Sequence, residues 1–345
     1  MSTQRAHFFE APVLPPGNMA VSDTPLRNLG LGIQGTLLEP VIEQIRAELA
    51  CTLKRLKPRF YLSTEWGVPF GSVSVGIPFY LAKPELLRLH AERVGHIEGG
   101  SRTDLLRYLR HELGHVVNYG YKLYEDEEWI SLFGPITRPY VEDYRPKPFS
   151  RRFVRHLPGW YAQKHPDEDF AETFAVWLTP GLDWRSEYAK WPRALMKLNY
   201  VDAVVRRLVD VPPVVTTEDL DEDVAEITLS PEQYYRNCLN STSEEPPTLD
   251  SAMRSIFEDL GSTTGVNEKA SELFHRMENT LMADVYRWTG HFPERTRMLL
   301  RHLAERADLL NLSYAEDRES EAVVSLTTFL TALAMNYVHE GGYTP

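Results

Sequence analysis

His111-Glu112-Leu113-Gly114-His115 is the stretch on which the reading of this chain turns. On a helix, positions 111 and 115 fall one turn apart on a single face, where two imidazoles can grip one metal ion. Zinc is the ion this spacing suits, and Glu112 between the histidines is then placed to act as a base toward water. Residues 101–119 read as one amphipathic helix around the motif, with Ser101 and Asp104 in capping-box spacing at its start and Gly120 just beyond its end. Leu105, Leu109, Leu113 and Val116 form a core stripe, while Tyr108, His111 and His115 lie on the other side, so the helix divides core from cleft. Glycine at position 114 costs about 1 kcal/mol of helix stability relative to alanine, which is understandable if something packs closely on the backbone there.

A catalytic zinc takes three protein ligands and keeps a fourth position for water. The pattern HExxHxxGxxH would supply the third from the same stretch, but Asn118 and Tyr121 stand where it needs glycine and histidine. The better source is Tyr161-Ala-Gln-Lys-His165-Pro-Asp-Glu168-Asp-Phe-Ala-Glu172, in which Pro166 suits the first turn of a helix. Glu168 and Glu172, spaced i, i+4, share a face of that helix, and Phe170, Phe174, Trp177 and Leu178 fall largely on others. Spacing alone leaves the two glutamates interchangeable as the third ligand. His165, just before the helix, is a weaker candidate.

HExxH followed some fifty residues later by Y-x6-E-x-F-A-E resembles the gluzincin-type zinc metallopeptidases, among them the anthrax lethal factor catalytic domain and a group of bacterial zinc-binding metallopeptidases. The resemblance spans roughly residues 100–180. It implies a zincin-like catalytic domain, one zinc ion per chain and a peptide or protein substrate. Carried over by position, it makes Glu168 the third ligand beside His111 and His115, and Glu172 the carboxylate that orients an imidazole. Tyr161 becomes a hydrogen-bond donor to the oxyanion of the tetrahedral intermediate, and Glu112 the general base. In such folds an edge strand ahead of the active-site helix pairs with extended substrate, and residues 72–75 (Ser-Val-Ser-Val) are either that strand or part of an internal hairpin.

The fold class expected is α+β: a small sheet with an edge strand, the active-site helix, and a mainly helical C-terminal module. Residues 1–35, rich in proline and glycine, read as an arm, and 36–212 as the catalytic domain. Within that domain a helix is expected over 39–56, a strand over 59–63, and an edge position around Pro78. Residues 121–160 read as a long structured loop over the cleft, followed by the glutamate helix and a helix near 191–209. The acidic 216–226 and the Ser/Glu/Pro-containing 240–250 place a linker over 213–250. Residues 251–345 then carry helices near 268–288, 294–311 and 319–339. The last is markedly apolar but too short between its charges to span a membrane, so it is expected to be a buried helix.

With 345 residues, 43% hydrophobic, the chain can bury one large or two moderate cores. Its 37 basic against 49 acidic side chains give a net charge of −12, which argues against nucleic acid as partner. One local exception, RPKPFSRRFVRH at 145–156, either lines the cleft and holds a substrate carboxylate through Arg151 and Arg152, or is a solvated loop. Two cysteines, Cys51 and Cys238, fit a reducing compartment, and the polar start of the chain lacks the apolar core of a signal peptide. A cytoplasmic protein without membrane contact is the resulting expectation. Two rival functions remain at this stage. Glu112-Leu-Gly-His115 and Glu272-Leu-Phe-His275 share the E-x-x-H spacing of helical di-iron carboxylate oxidoreductases, and a zinc-binding domain can also serve as a catalytically idle scaffold.

Overall fold

The computed structural model describes residues 19–140, 144, 146–147, 149–238, 249–259 and 267–343. It is an α+β arrangement of helices with two small sheets, organised around two large hydrophobic cores. At the centre of the first lies the motif helix, Arg102–Gly120, capped by Ser101, whose hydroxyl accepts from the Asp104 amide at 3.2 Å. Leu109, Leu113, Val116 and Val117 on this helix are completely buried. It includes Gly120, one residue more than its cap signals indicate, and the Gly120 carbonyl then accepts from the amides of Val214 and Val215. Arg110 reaches Glu48 through two hydrogen bonds of 2.9 Å, locking the motif helix to the helix Leu38–Ala50.

Strand β1 (Arg59–Ser63) falls where the sequence places it and pairs in parallel with β2 (Ser74–Pro78), Arg59 opposite Ser74. Residues 72–75 are not a free edge. Ser72, Ser74 and Val75 are completely buried, and the Val73 amide donates to the Thr217 carbonyl at 2.9 Å. The far side of β2 is crossed by the preceding chain, with the Gly76 amide donating to Gly67 at 2.8 Å in an antiparallel bridge. Pro78, with no amide hydrogen to give, ends β2 and opens the short 3-10 turn Phe79–Ala82. The segment 72–75, an edge candidate by resemblance, is thus enclosed between β1 on one side and the Gly67 bridge on the other, although among the described residues the sheet itself has only two strands.

The region expected to be a linker is largely part of this core. The Val224 amide donates to Leu62 at 3.0 Å, the hydroxyls of Tyr61 and Ser63 donate to the Asp221 carbonyl, and Val224 and Tyr235 are buried. Residues 239–248 of the expected linker lie outside the described residues, as do residues 1–18 of the expected arm. The rest of the arm is laid against the core: Leu26 is completely buried, and the amides of Leu26 and Arg27 donate to Leu229 and Ile227.

The second core is formed by the helices Ala270–Thr289, Pro293–Leu309 and Glu319–Glu340, close to the three expected. A three-stranded antiparallel sheet accompanies them, β3 (Glu258–Asp259), β5 (Leu312–Ala315) and β4 (Asn267–Lys269) side by side in that order. Two of its strands are only two and three residues long, too short to leave a period in the sequence. By length and composition the segment Glu316–Glu340 could cross a membrane, and Leu326, Leu330, Leu333 and Ala334 on it are completely buried in the second core. The two units meet closely: Arg297 donates to the Arg93 carbonyl at 2.6 Å, and the Tyr286 ring lies 5.4 Å from that of His96.

Candidate metal centre

Gly114 is what allows the centre to form. A Cβ added there would lie 2.5 Å from the Ala171 Cα and 2.9 Å from its carbonyl oxygen, so the helix Pro166–Leu178 crosses the motif helix at a distance only glycine permits. The crossing point sits between Glu168 and Glu172, and both carboxylates are brought against His111. The glutamate helix starts as its sequence signals, with Pro166 in the first turn and His165 as the cap, its Nδ1 accepting from the Asp167 amide.

His111 Nε2, His115 Nε2 and Glu168 Oε2 form a triangle with sides of 3.0, 3.2 and 3.2 Å, all three residues being buried. Two nitrogens and an oxygen so spaced could hold a metal ion. The sides are close to the ~3.3 Å between ligands of a tetrahedral ion bound at about 2.0 Å. Glu172 does not compete with Glu168 for this place. Its Oε1 meets His111 Nδ1 at 2.9 Å, and its oxygens accept from the amides of His156 and Leu157, at 3.1 and 2.9 Å for Oε2. His165 is also occupied elsewhere, its Nε2 meeting the Arg138 carbonyl at 2.8 Å.

A second supporting carboxylate, Asp167, was not singled out from the sequence. Asp167 Oδ2 stands 3.1 Å from His115 Nδ1, in ion-pair contact though not aligned as a hydrogen bond. Asn118 donates to Asp167 at 2.8 Å, and the Tyr119 hydroxyl donates to it as well. Tyr119 sits at i+4 from His115, so the signal was present: a polar group one turn beyond His115, and an acid one residue before Glu168. Tyr140, also missed, donates its hydroxyl to Glu168 Oε1 at 2.7 Å and lies 3.4 Å from the Tyr161 hydroxyl. It belongs to the aperiodic loop, where no pattern marks it.

The electrostatics bind these groups into one unit. Burial on its own would depress the imidazole pKa values, but Glu168 and Glu172 outweigh it at His111 and hold that pKa at about 9. Asp167 and Glu168 likewise outweigh burial at His115, raising it well above its ordinary value. Glu168 is held well below the usual carboxylate range, because the two histidines overcome the effect of its burial. Burial pushes Glu112 up, against the pull of His111 and His115.

The centre opens on a cavity of about 610 Å³. Glu112 lines it, nearly fully buried, and its Oε2 has no hydrogen-bond partner. Tyr161 lines it too, with its ring 5.5 Å from that of His111 and edge-on to it. Burial, reinforced by the charge of Glu168, raises the Tyr161 pKa well above its ordinary value, so its hydroxyl keeps the proton it would donate. The turn before Tyr161 carries positive φ at Gly159 (78°) and Trp160 (52°), and a Cβ on Gly159 would meet the Tyr286 ring at 3.0 Å. The cavity lining thus includes Tyr286, Phe292 and Glu294 of the C-terminal unit, and Glu65 to Val68, rather than 72–75, from the segment between the first two strands.

Two of the alternatives left open by the sequence fall away here, and the basic segment keeps its reading as a solvated loop. Arg151, Arg152 and Arg155 are exposed and absent from the cavity lining; Arg155 instead stacks on Trp160 and Trp191, at 5.5 and 5.2 Å from their ring centres. Glu272 and His275 are exposed on the helix Ala270–Thr289 and do not converge with Glu112 and His115, so the paired E-x-x-H arrangement is not assembled. Comparison of the chain with protein-family models, curated proteins and solved structures finds no match in any of the three.

Proposed function

We propose that the protein is a zinc-dependent metallopeptidase of gluzincin type, with a zincin-like domain carrying His111, His115 and Glu168 as ligands. The observation that carries the reading is that these three ligand atoms converge beside the unpartnered carboxylate oxygen of Glu112, on a cavity large enough for several residues of peptide. A buried carboxylate without a hydrogen-bond partner is costly unless a ligand or water meets it. The donor set of two imidazoles and one carboxylate is that of catalytic zinc, and the second imidazole nitrogens are braced by Glu172 and Asp167 as such sites require.

Bound zinc supplies Lewis acidity, polarising the scissile carbonyl and lowering the pKa of water to about 7. The rest falls to the chain. Glu112 takes the proton from the attacking water and returns it to the leaving amine, a role suited to a carboxyl whose pKa burial has raised. Tyr161 donates its hydroxyl hydrogen to the oxyanion, and Tyr140 fixes the free oxygen of Glu168 so that this ligand keeps one orientation.

The test is the Glu112→Gln variant. It is expected to bind one zinc per chain with unchanged affinity and to lose at least about a thousandfold in peptide hydrolysis, the range of an essential base. Full hydrolysis by that variant would remove Glu112 from the mechanism. Zinc binding by the unsubstituted protein without cleavage of any peptide in a diverse library would favour the idle scaffold instead.

A further inference from the structure

We propose that the C-terminal helical unit sets the position of Tyr161, through the end of the helix Ala270–Thr289 and the turn at Gly159 and Trp160. The use of the Tyr161 hydroxyl in catalysis rests on the metallopeptidase reading. Tyr286 and Gly290 are positioning residues that act on it through the turn.

Gly159 and Trp160 both adopt left-handed backbone, at φ 78°, ψ 13° and φ 52°, ψ 43°. Glycine takes that region freely, but a residue as bulky as tryptophan stays there only when its surroundings hold it. Much of that support comes from the C-terminal unit. Tyr286, in the last turn of its helix, lies so close to Gly159 that a Cβ there would meet the ring at 3.0 Å. Gly290, which caps that helix at φ 72°, closes on the turn from the same end. A Cβ on Gly290 would lie 3.1 Å from the Trp160 ring and 3.3 Å from both the Cα and the carbonyl oxygen of Gly159. That carbonyl accepts from the Tyr144 hydroxyl at 2.7 Å, and the Tyr144 ring stands 6.3 Å from that of Phe292, just past Gly290. The first unit adds Arg155, 5.5 Å from the centre of the Trp160 ring. Return of Trp160 to an ordinary negative φ would redirect the chain at the residue before Tyr161. The Tyr161 ring is 5.5 Å from that of His111 and its hydroxyl 3.4 Å from that of Tyr140, so both contacts depend on the turn. The candidate metal ligands do not: His111 and His115 sit on the motif helix, and Glu168 on the helix that crosses it at Gly114. The helical unit can thus govern the oxyanion donor while leaving the metal centre as it is.

The test uses the zinc-loaded, full-length chain carrying either of two substitutions. Gly290→Ala sets a methyl against the turn from the C-terminal side, and Trp160→Gly frees the turn itself to take other conformations. The second carries the test if the first does not fold. Both are expected to speed hydrogen exchange across residues 159–164 at least about tenfold, with exchange over the motif helix unchanged and zinc affinity within about twofold. Against one peptide substrate, kcat should fall about 10- to 100-fold while KM stays within about twofold. Added to Tyr161→Phe, either substitution should cost kcat no more than about a further twofold, because the hydroxyl it misplaces is already gone. Unchanged exchange at the turn, faster exchange with kcat intact, an equal kcat loss in the Tyr161→Phe background, or loss of zinc overturns the proposal. Any of these results in a chain whose unsubstituted form hydrolyses peptides sinks this inference alone. Faster exchange at the turn with zinc retained, in a protein that hydrolyses no peptide, sinks the peptidase reading alone and keeps the hold of the helical unit on Tyr161.

Discussion

Each ligand histidine offers Nε2 to the centre and rests its Nδ1 on a carboxylate, Glu172 behind His111 and Asp167 behind His115. Glu172→Gln and Asp167→Asn are therefore expected to weaken zinc binding by about 10- to 100-fold each, read by competition with a chelator of known affinity. Unchanged affinity in both would show that the carboxylates do not orient the ligands. The raised histidine pKa values carry a second prediction. At pH 7 the His111 imidazole is charged in the metal-free chain, so zinc must displace its proton, measurable by calorimetry in buffers of different ionisation heat. For His111 the sign follows from its folded pKa of about 9, above the ~6.5 of an unfolded histidine. Its stabilising contribution is complete below pH 6.5 or so and is lost as the pH rises through about 9, so the metal-free protein should melt lower at pH 9 than at pH 6.5. Zinc-loaded protein should not follow that trend, because the imidazoles are then neutral ligands throughout. At this scale the sequence carried much of the site. His111, Glu112, His115, Glu168, Glu172 and Tyr161 all meet around one cavity or directly behind it. The contact of Asp167 and the hydroxyl of Tyr140 were not legible, because one depends on which face of a helix start turns inward and the other on the path of an aperiodic loop.

The crossing of the motif helix and the glutamate helix turns on Gly114 and Ala171. Alanine at position 114 would improve helix propensity by about 1 kcal/mol if the helix were free. Here its methyl would strike the Ala171 backbone, which has no flexible side chain to move aside, and the expected net effect is destabilisation of about 1–3 kcal/mol. Gly114→Ala should therefore melt several degrees lower, and zinc affinity should fall because Glu168 is pushed away from the histidines. A variant more stable than the parent would refute the close approach. Gly120→Ala is the control, since the nearest atom a Cβ would meet there is a Leu56 methyl at 3.3 Å. The glycine's cost was readable as a sign of close packing. The partner was not, because nothing at Ala171 announces that a backbone 57 residues away lies against it. The sheet shows the same limit: β1 was placed from its own residues, but whether β2 is an edge depends on Gly67 and Thr217, which only the folded chain brings alongside.

At the scale of the whole molecule, the two cores are joined where Arg297 grips the Arg93 carbonyl and packs beside Gly95, whose Cβ would lie 1.7 Å from the Arg297 guanidinium. All three candidate metal ligands belong to the first unit, whereas Tyr286, Phe292 and Glu294 come from the second. Arg297→Ala is thus expected to leave zinc affinity within about twofold while weakening peptide binding and separating one thermal transition into two. Retention of a single sharp transition together with normal peptide binding would count against the coupling. By itself the sequence determined which side chains meet near position 111, because helical spacing fixes which of them share a face, and the types His and Glu make that group able to hold a metal ion. It also determined most of the long helices, whose apolar periods are local. Only the tertiary structure decided that 213–238 is part of the first core, that the cavity borders on residues 65–68, and that the C-terminal helices close it. Those contacts join residues scores to hundreds of positions apart, and their energies come from burial and complementary shape, which leave no period in the chain.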